Sequence, residues 1–201
     1  MISDMHLVLH GLAIKKHAGA KDVAEIVGLE TATVEALMAE AESRGRVARA
    51  GGKYMLTAPA QMSLRSEYSR VYAEQRADAA MNAAYDEFEK VNAHLKQLIT
   101  DWQTMEVGGS KVPNDHSDKH YDERIVDRLG TLHERAVPVL RRLAAGLARL
   151  EVYPRLLTAA LEKAEDGAVE WVSDARIPSY HTVWFEMHED LLRVLGRERD
   201  E

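Results

Sequence analysis

The sequence predicts a mainly α-helical protein: three short helices and a β-hairpin come first, then a long helix and an α-helical bundle. Three observations predict this. Apolar residues recur at spacings of three and four over most of the 201 positions. The pattern changes only around Gly51-Gly52, where short runs rich in β-formers flank a tight turn. From Leu64 to Met105 there is neither proline nor glycine, so nothing in that stretch breaks a helix.

The first helix spans about His6 to Lys16, with Leu9, Leu12 and Ala13 at helical spacing. A second runs from Lys21 to Val27 and ends at Gly28-Leu29. A third begins at Thr31, whose hydroxyl can cap free amides, and continues to Arg44 through Val34, Leu37 and Ala41. Val47–Ala50 and Tyr54–Leu56 read as two strands joined at Gly51-Gly52, and Thr57-Ala58-Pro59 closes the unit. In the long helix, Ala84, Phe88, Val91, Leu95, Leu98, Trp102 and Met105 form one apolar stripe. At about 1.5 Å per residue this is a rod of roughly 60 Å, with coiled-coil character. Glu106 to Tyr121 reads as a polar loop. Helices resume with Ile125, Leu129, Leu132 and Ala136, and Pro138 is expected to kink or break that run. Pro154 opens a helix that stops at Gly167, and a last one runs from Pro178-Ser179 to Leu195. The expected domains are residues 1–63 and 64–201.

Composition narrows the functional classes. There is no cysteine, which removes disulfides, thiolate nucleophiles and cysteine-bound zinc, and fits a reducing compartment. No apolar run reaches the roughly 18 residues that span a bilayer, and the start lacks the form of a signal peptide. A cytoplasmic protein without a membrane role is the expectation. The formal net charge is −7, yet residues 1–60 carry seven Lys/Arg against seven Asp/Glu, so the acidic excess lies in the remainder. A protein coated in basic surface is excluded; a neutral module with local basic patches is not.

One motif carries a name. In KDVAEIVGLETATVEAL, Ala24 is small where two helices would touch, Gly28 permits a sharp turn, and Val34 returns the next helix to the core. Val23, Val27, Leu29 and Leu37 fill the remaining inward positions. Followed by a glycine-tipped hairpin, residues 5–60 resemble the winged helix-turn-helix transcriptional regulators of the MarR and PadR groups. The resemblance implies that the second helix of the motif enters the major groove of double-stranded DNA while the hairpin wing touches the backbone. The positions it assigns to DNA are Lys21, Thr31, Thr33, Glu35, Arg44, Arg46, Arg49 and Lys53. The groove-facing set Glu30, Thr31, Ala32, Glu35, Ala36 and Ala39 holds no Arg, Lys, Asn or Gln, the residues suited to bidentate base contacts. Such a module would hold phosphates more than it reads bases. The alternative is an accessory protein whose degenerate winged helix makes protein contacts. The ending SYHTVWFEMHEDLLRVLGR also resembles the tails of proteins grouped with pyruvate phosphate dikinase, a resemblance that assigns no residue a role.

Elsewhere no catalytic constellation or cofactor motif stands out, and a non-enzyme is the expectation. Gly108-Gly109-Ser110-Lys111 lacks the strand and spacing of a phosphate loop. His116 and His120 are four apart among Asp115, Asp118 and Asp122, but Pro113 and Asn114 favour a loop over a metal-binding helix face. His181 and His188 flank Phe185 on the last helix. With His133, Trp171 and Trp184 they are either core or the wall of a small-molecule effector pocket. The exposed stripe of the long helix, with Phe88, Leu95 and Trp102, suggests a homodimer unless the later helices cover it.

Overall fold

A computed structural model describes residues 2–198. It is mainly helical, and those residues fall into two compact units: residues 2–78, 147–152 and 186–198 form one, and residues 79–146 and 153–185 the other. This division differs from the expected boundary at 63/64, because a helix runs through that point and two distant segments join the N-terminal residues.

In the first unit, α1 (Asp4–Lys15) starts at Ser3, whose hydroxyl accepts from the His6 amide. α2 (Ala20–Val27) ends at Gly28, whose left-handed backbone (φ +73°) turns the chain into α3 (Thr31–Ser43). Thr31 is not the cap: Glu30 occupies that position, without a side-chain bond, and Thr31 is the first helical residue. α1 and α2 cross closely at Gly11, where a Cβ would come within 2.8 Å of Val23 and 2.9 Å of Val27. Val8, Leu9, Leu12, Val23, Val34, Met38 and Ala41 are buried among the three helices, while Leu29 and Leu37 are half-buried, with Ile26 and Met38 the inward neighbours.

Strands β1 (Val47–Ala50) and β2 (Lys53–Leu56) pair antiparallel, from Val47 opposite Leu56 to Ala50 opposite Lys53. The two-residue turn is Gly51-Gly52, both at positive φ, as the right-handed twist of a tight hairpin requires. Ala18 exchanges both backbone hydrogen bonds with Tyr54, which ties the α1–α2 connection to the hairpin.

The long helix expected over 64–105 is three helices: α4 (Ala58–Val71), α5 (Ala73–Ala77) and α6 (Ala79–Gln103). Two breaks occur without proline or glycine. Tyr72 leaves helical geometry (φ −110°, ψ 29°) with its side chain fully buried, and Asp78 is extended (ψ 109°) just before α6, where short polar residues favour a helix start. Burial of one tyrosine and the packing of Arg76 override intrinsic propensity here. The Arg76 guanidinium donates to the carbonyls of Val194 (2.9 Å) and Arg193 (3.1 Å), closing the end of the last helix, α10 (Tyr180–Leu195). A 3-10 turn, Ala148–Glu151, completes the first unit.

In the second unit α6 packs along α7 (Lys119–Gly146). Met81, Ala84, Phe88, Leu95, Leu98 and Trp102 are all buried within the single chain, and the Trp184 ring stacks on Phe88 at 5.0 Å. The stripe is therefore covered from within the chain, and it gives no argument for a homodimer. Residues 106–121 are not a plain loop. β3 (Thr104–Val107) and β4 (Ser110–Pro113) form a second hairpin around Gly108-Gly109, by the same glycine-turn chemistry as the first. Pro138 does not break α7. The lost hydrogen bond costs about 3 kcal/mol, which burial of Ala136, Val139, Leu140 and Leu143 on the same helix offsets. α8 (Val152–Glu165) and α9 (Glu170–Ser173) complete the unit with residues 180–185 of α10. Among the described residues no helix is long and apolar enough to cross a membrane.

Candidate nucleic-acid interface

The residues that sequence assigns to DNA lie on α2, α3 and the first hairpin, and the structure leaves most of them accessible. Lys21 is exposed in the first turn of α2. Thr33 and Glu35 are exposed on α3, together with Glu30, Ala32, Ala36 and Ala39, while Thr31 is half-buried. This face is bare because Val34, Met38 and Ala41 take the opposite side into the core, as the 3.6-residue period dictates.

The basic residues gather at the end of α3 and on the hairpin. Gly45 (φ +67°) terminates α3, and the Arg46 amide returns to the Ala41 carbonyl at 2.9 Å. Thr57 Oγ1 donates to the Gly45 and Arg46 carbonyls, so the base of the hairpin is fixed to the helix end. Arg44 is exposed and paired with Glu40 at 2.9 Å, which discounts it as a phosphate contact. Arg49 lies over the Tyr54 ring (5.3 Å), which holds its guanidinium out on the strand. Arg46 is half-buried and Lys53 exposed beside the turn. Arg49 and Lys53 thus lie on the two-stranded hairpin, on opposite faces of it by strand alternation, and Arg46 directly before its first strand.

Behind this face lies a buried polar network that no sequence motif announces. The Asp190 carboxylate, wholly buried on α10, accepts from both terminal nitrogens of Arg149, at 2.6 Å for Nη2, and lies 2.9 Å from His10 Nε2. His10 Nδ1 is 3.0 Å from the Tyr68 hydroxyl, and Arg149 Nη2 is 2.9 Å from His10 Nε2. Each imidazole nitrogen is paired in either neutral tautomer: Nδ1–H donates to Tyr68 while Nε2 accepts from Arg149, or Nε2–H donates to Asp190 while Nδ1 accepts from Tyr68. Burial pushes the His10 pKa down to about 4, with Arg149 adding to the effect and Asp190 opposing it. Burial alone would raise the Asp190 pKa, but Arg149 and His10 outweigh it and hold the carboxyl far below the usual range. Three segments remote in sequence, α1, the 3-10 turn and α10, are joined at this point. The pairing partners lie about 140 and 180 residues from His10, separations at which sequence periodicity carries no signal.

Of the five residues expected around an effector pocket, His133, Trp184 and His188 are buried. His133 is satisfied internally, with Nδ1 3.2 Å from the Tyr180 hydroxyl and Nε2 3.1 Å from Thr158 Oγ1, and burial lowers its pKa. Trp184 Nε1 donates to Asn92 Oδ1 at 3.0 Å. Trp171 is half-buried under the Lys163 ammonium, 3.5 Å from its ring centre, and His181 is half-buried with its pKa lowered by burial. A cleft of about 280 Å³ in the second unit is lined instead by Lys119, Asp122, Val126, Asp127, Glu165 and neighbours, with none of the five. His116 and His120 are likewise apart in role. His116 (φ +60°) contacts the buried Asp122 and lies 4.6 Å from the Trp102 ring in a tilted arrangement, whereas exposed His120 faces Glu123.

No family model matches the chain, and no curated protein or solved structure matches it significantly.

Proposed function

We propose that α1–α3 and the first hairpin act as a winged helix-turn-helix module that binds double-stranded DNA through its phosphate backbone, within a transcriptional regulator. The observation that carries this reading is the basic set Arg46, Arg49 and Lys53, placed on and directly before a hairpin anchored to the end of an exposed helix. Support comes also from the Ala18–Tyr54 pairing, which gives the hairpin a third backbone partner, and from the left-handed Gly28 between α2 and α3. The exposed face of α3 offers threonine, alanine and glutamate, so contacts to bases add little and affinity comes from charge.

A second reading is favoured by one specific observation: Glu35 and Glu42 are exposed on one side of α3 and Glu30 at its start, an acidic surface better suited to a basic protein partner than to phosphates. The test separates the two. Fluorescence anisotropy with duplex fragments from the region upstream of the gene should show binding that the combined Arg46→Ala, Arg49→Ala and Lys53→Ala replacement abolishes. A parent protein that ignores every duplex at low salt overturns the DNA reading, and so does a triple variant that binds as well as the parent.

A further inference from the structure

The geometry points to a binding site for a small amphipathic organic acid in the cleft between the end of α1, the start of α4 and the last turns of α10. This inference does not rest on the DNA reading and uses none of the residues assigned there to phosphate contact. The cleft has a volume of about 440 Å³, within the range of small-molecule sites. Leu12, Ala13, Leu56 and Leu64 supply the apolar part of its lining; Lys16, Arg65 and Arg193 supply charge and Gln61 an amide. No carboxylate lines it. In a chain of net charge −7, a hollow with three cations and no lining acid is a local reversal of sign.

Two of the three cations are under-neutralised. Arg65 is exposed and makes no ion pair among the described residues. The ion pair of Arg193 is a long contact to Glu189, 3.4 Å, and its Nε is buried without a hydrogen-bond partner among the described residues. A buried guanidinium N–H left unpaired is costly, and an incoming carboxylate would recover part of that cost. The same two arginines also line a neighbouring hollow, where Arg76 and Arg197 stand with Glu189 and Glu198, so the excess of positive charge is confined to the cleft itself.

The third cation is held in a strained conformation. Lys16 has φ +64° and ψ −50°, and the His17 amide donates to the Lys15 carbonyl at 2.7 Å, closing a γ-turn of the uncommon positive-φ kind. The adjoining Ala18–Tyr54 pairing keeps the backbone there, since releasing the turn would break two hydrogen bonds. Strain of this sort concentrates at ligand sites. Here it fixes a lysine at the rim of an apolar hollow rather than letting α1 end in a relaxed turn. The pattern asks for a ligand with one anionic group, set among Lys16, Arg65 and Arg193, and a short apolar body against the leucines.

Methyl-resolved NMR of the full chain tests this, with benzoate and hexanoate as probes, benzamide and hexanamide as neutral counterparts, and inorganic phosphate as the bare anion. At least one of the two acids should shift the Leu12, Leu56 and Leu64 methyls saturably, with Kd at or below about 1 mM. Its amide should bind about tenfold more weakly or not at all, as loss of a charge-assisted hydrogen bond implies. Lys16→Gln with Arg65→Gln, both at exposed positions, should weaken acid binding about tenfold or more. The inference is overturned if neither acid moves these methyls, if the amides or phosphate bind as well as the acids, or if the double variant keeps the parent's affinity. The amide comparison is made on the parent protein, so it stands even if the variant does not fold.

Discussion

Replacing Asp190 by Asn should destabilise the first unit by about 3–5 kcal/mol, the penalty for breaking a buried ion pair from one side. The magnitude follows from what the carboxylate holds. It accepts two hydrogen bonds from Arg149 and faces His10, all three side chains being nearly or wholly removed from water. Asn keeps the shape but not the charge, so the Arg149 guanidinium, 9% exposed, loses the carboxylate it is paired with here. A domain of ordinary stability has about 5–15 kcal/mol in total, so the variant should be near its folding threshold. Urea denaturation followed by far-UV circular dichroism measures the effect as a fall in midpoint at unchanged slope. The companion variant His10→Leu, Asp190→Leu and Arg149→Met should lose far less, because no charge is left stranded. A loss below about 1 kcal/mol for Asp190→Asn would refute the reasoning, since that is what an exposed pair is worth.

Three further outcomes follow from the packing. Because the folded His10 pKa is lowered to about 4 from 6.5, the unfolded chain takes up a proton between those values and the folded chain does not. Stability from this group is therefore full above pH 6.5 and falls by about 3 kcal/mol as pH drops to 4, and urea midpoints across that window should lose this dependence in His10→Leu. Gly11→Ala should destabilise: the clash with Val23 and Val27 costs about 1–3 kcal/mol against a helix-propensity gain of at most about 1, and a raised thermal midpoint would contradict the close crossing. Leu95→Ala, at a fully buried site in α6, should cost about 2–5 kcal/mol and leave the sedimentation coefficient unchanged, whereas a shift from dimer to monomer would return that stripe to an intermolecular role.

Local rules made the helical class, the three opening helices and the first hairpin legible. Gly28 and Gly51-Gly52 need positive φ, and Val34 with Ala41 repeats at helical period. The second hairpin carried the same Gly-Gly signal, but its polar strands lack an alternating apolar face and so read as loop. The breaks at Tyr72 and Asp78 were hidden because their cause is tertiary: a buried ring and a guanidinium bound to carbonyls more than a hundred residues away. Of the candidate sites, the basic hairpin could be read from composition near a turn. The cation-lined cleft could not, since Lys16, Arg65 and Arg193 come from three elements. His133 and Trp184, residue types suited to a pocket wall, make internal hydrogen bonds that their sequence positions do not announce.

The most direct test of the proposed function is the salt dependence of binding to a duplex, measured for the parent and for Arg49→Ala. If Arg46, Arg49 and Lys53 are the phosphate contacts, log Kobs should fall linearly with log salt at a slope of roughly −3, about 0.9 per contact. Arg49→Ala should reduce that slope by about one and weaken binding to all sequences alike. Salt-independent binding, or a slope that Arg49→Ala leaves unchanged, would contradict the account.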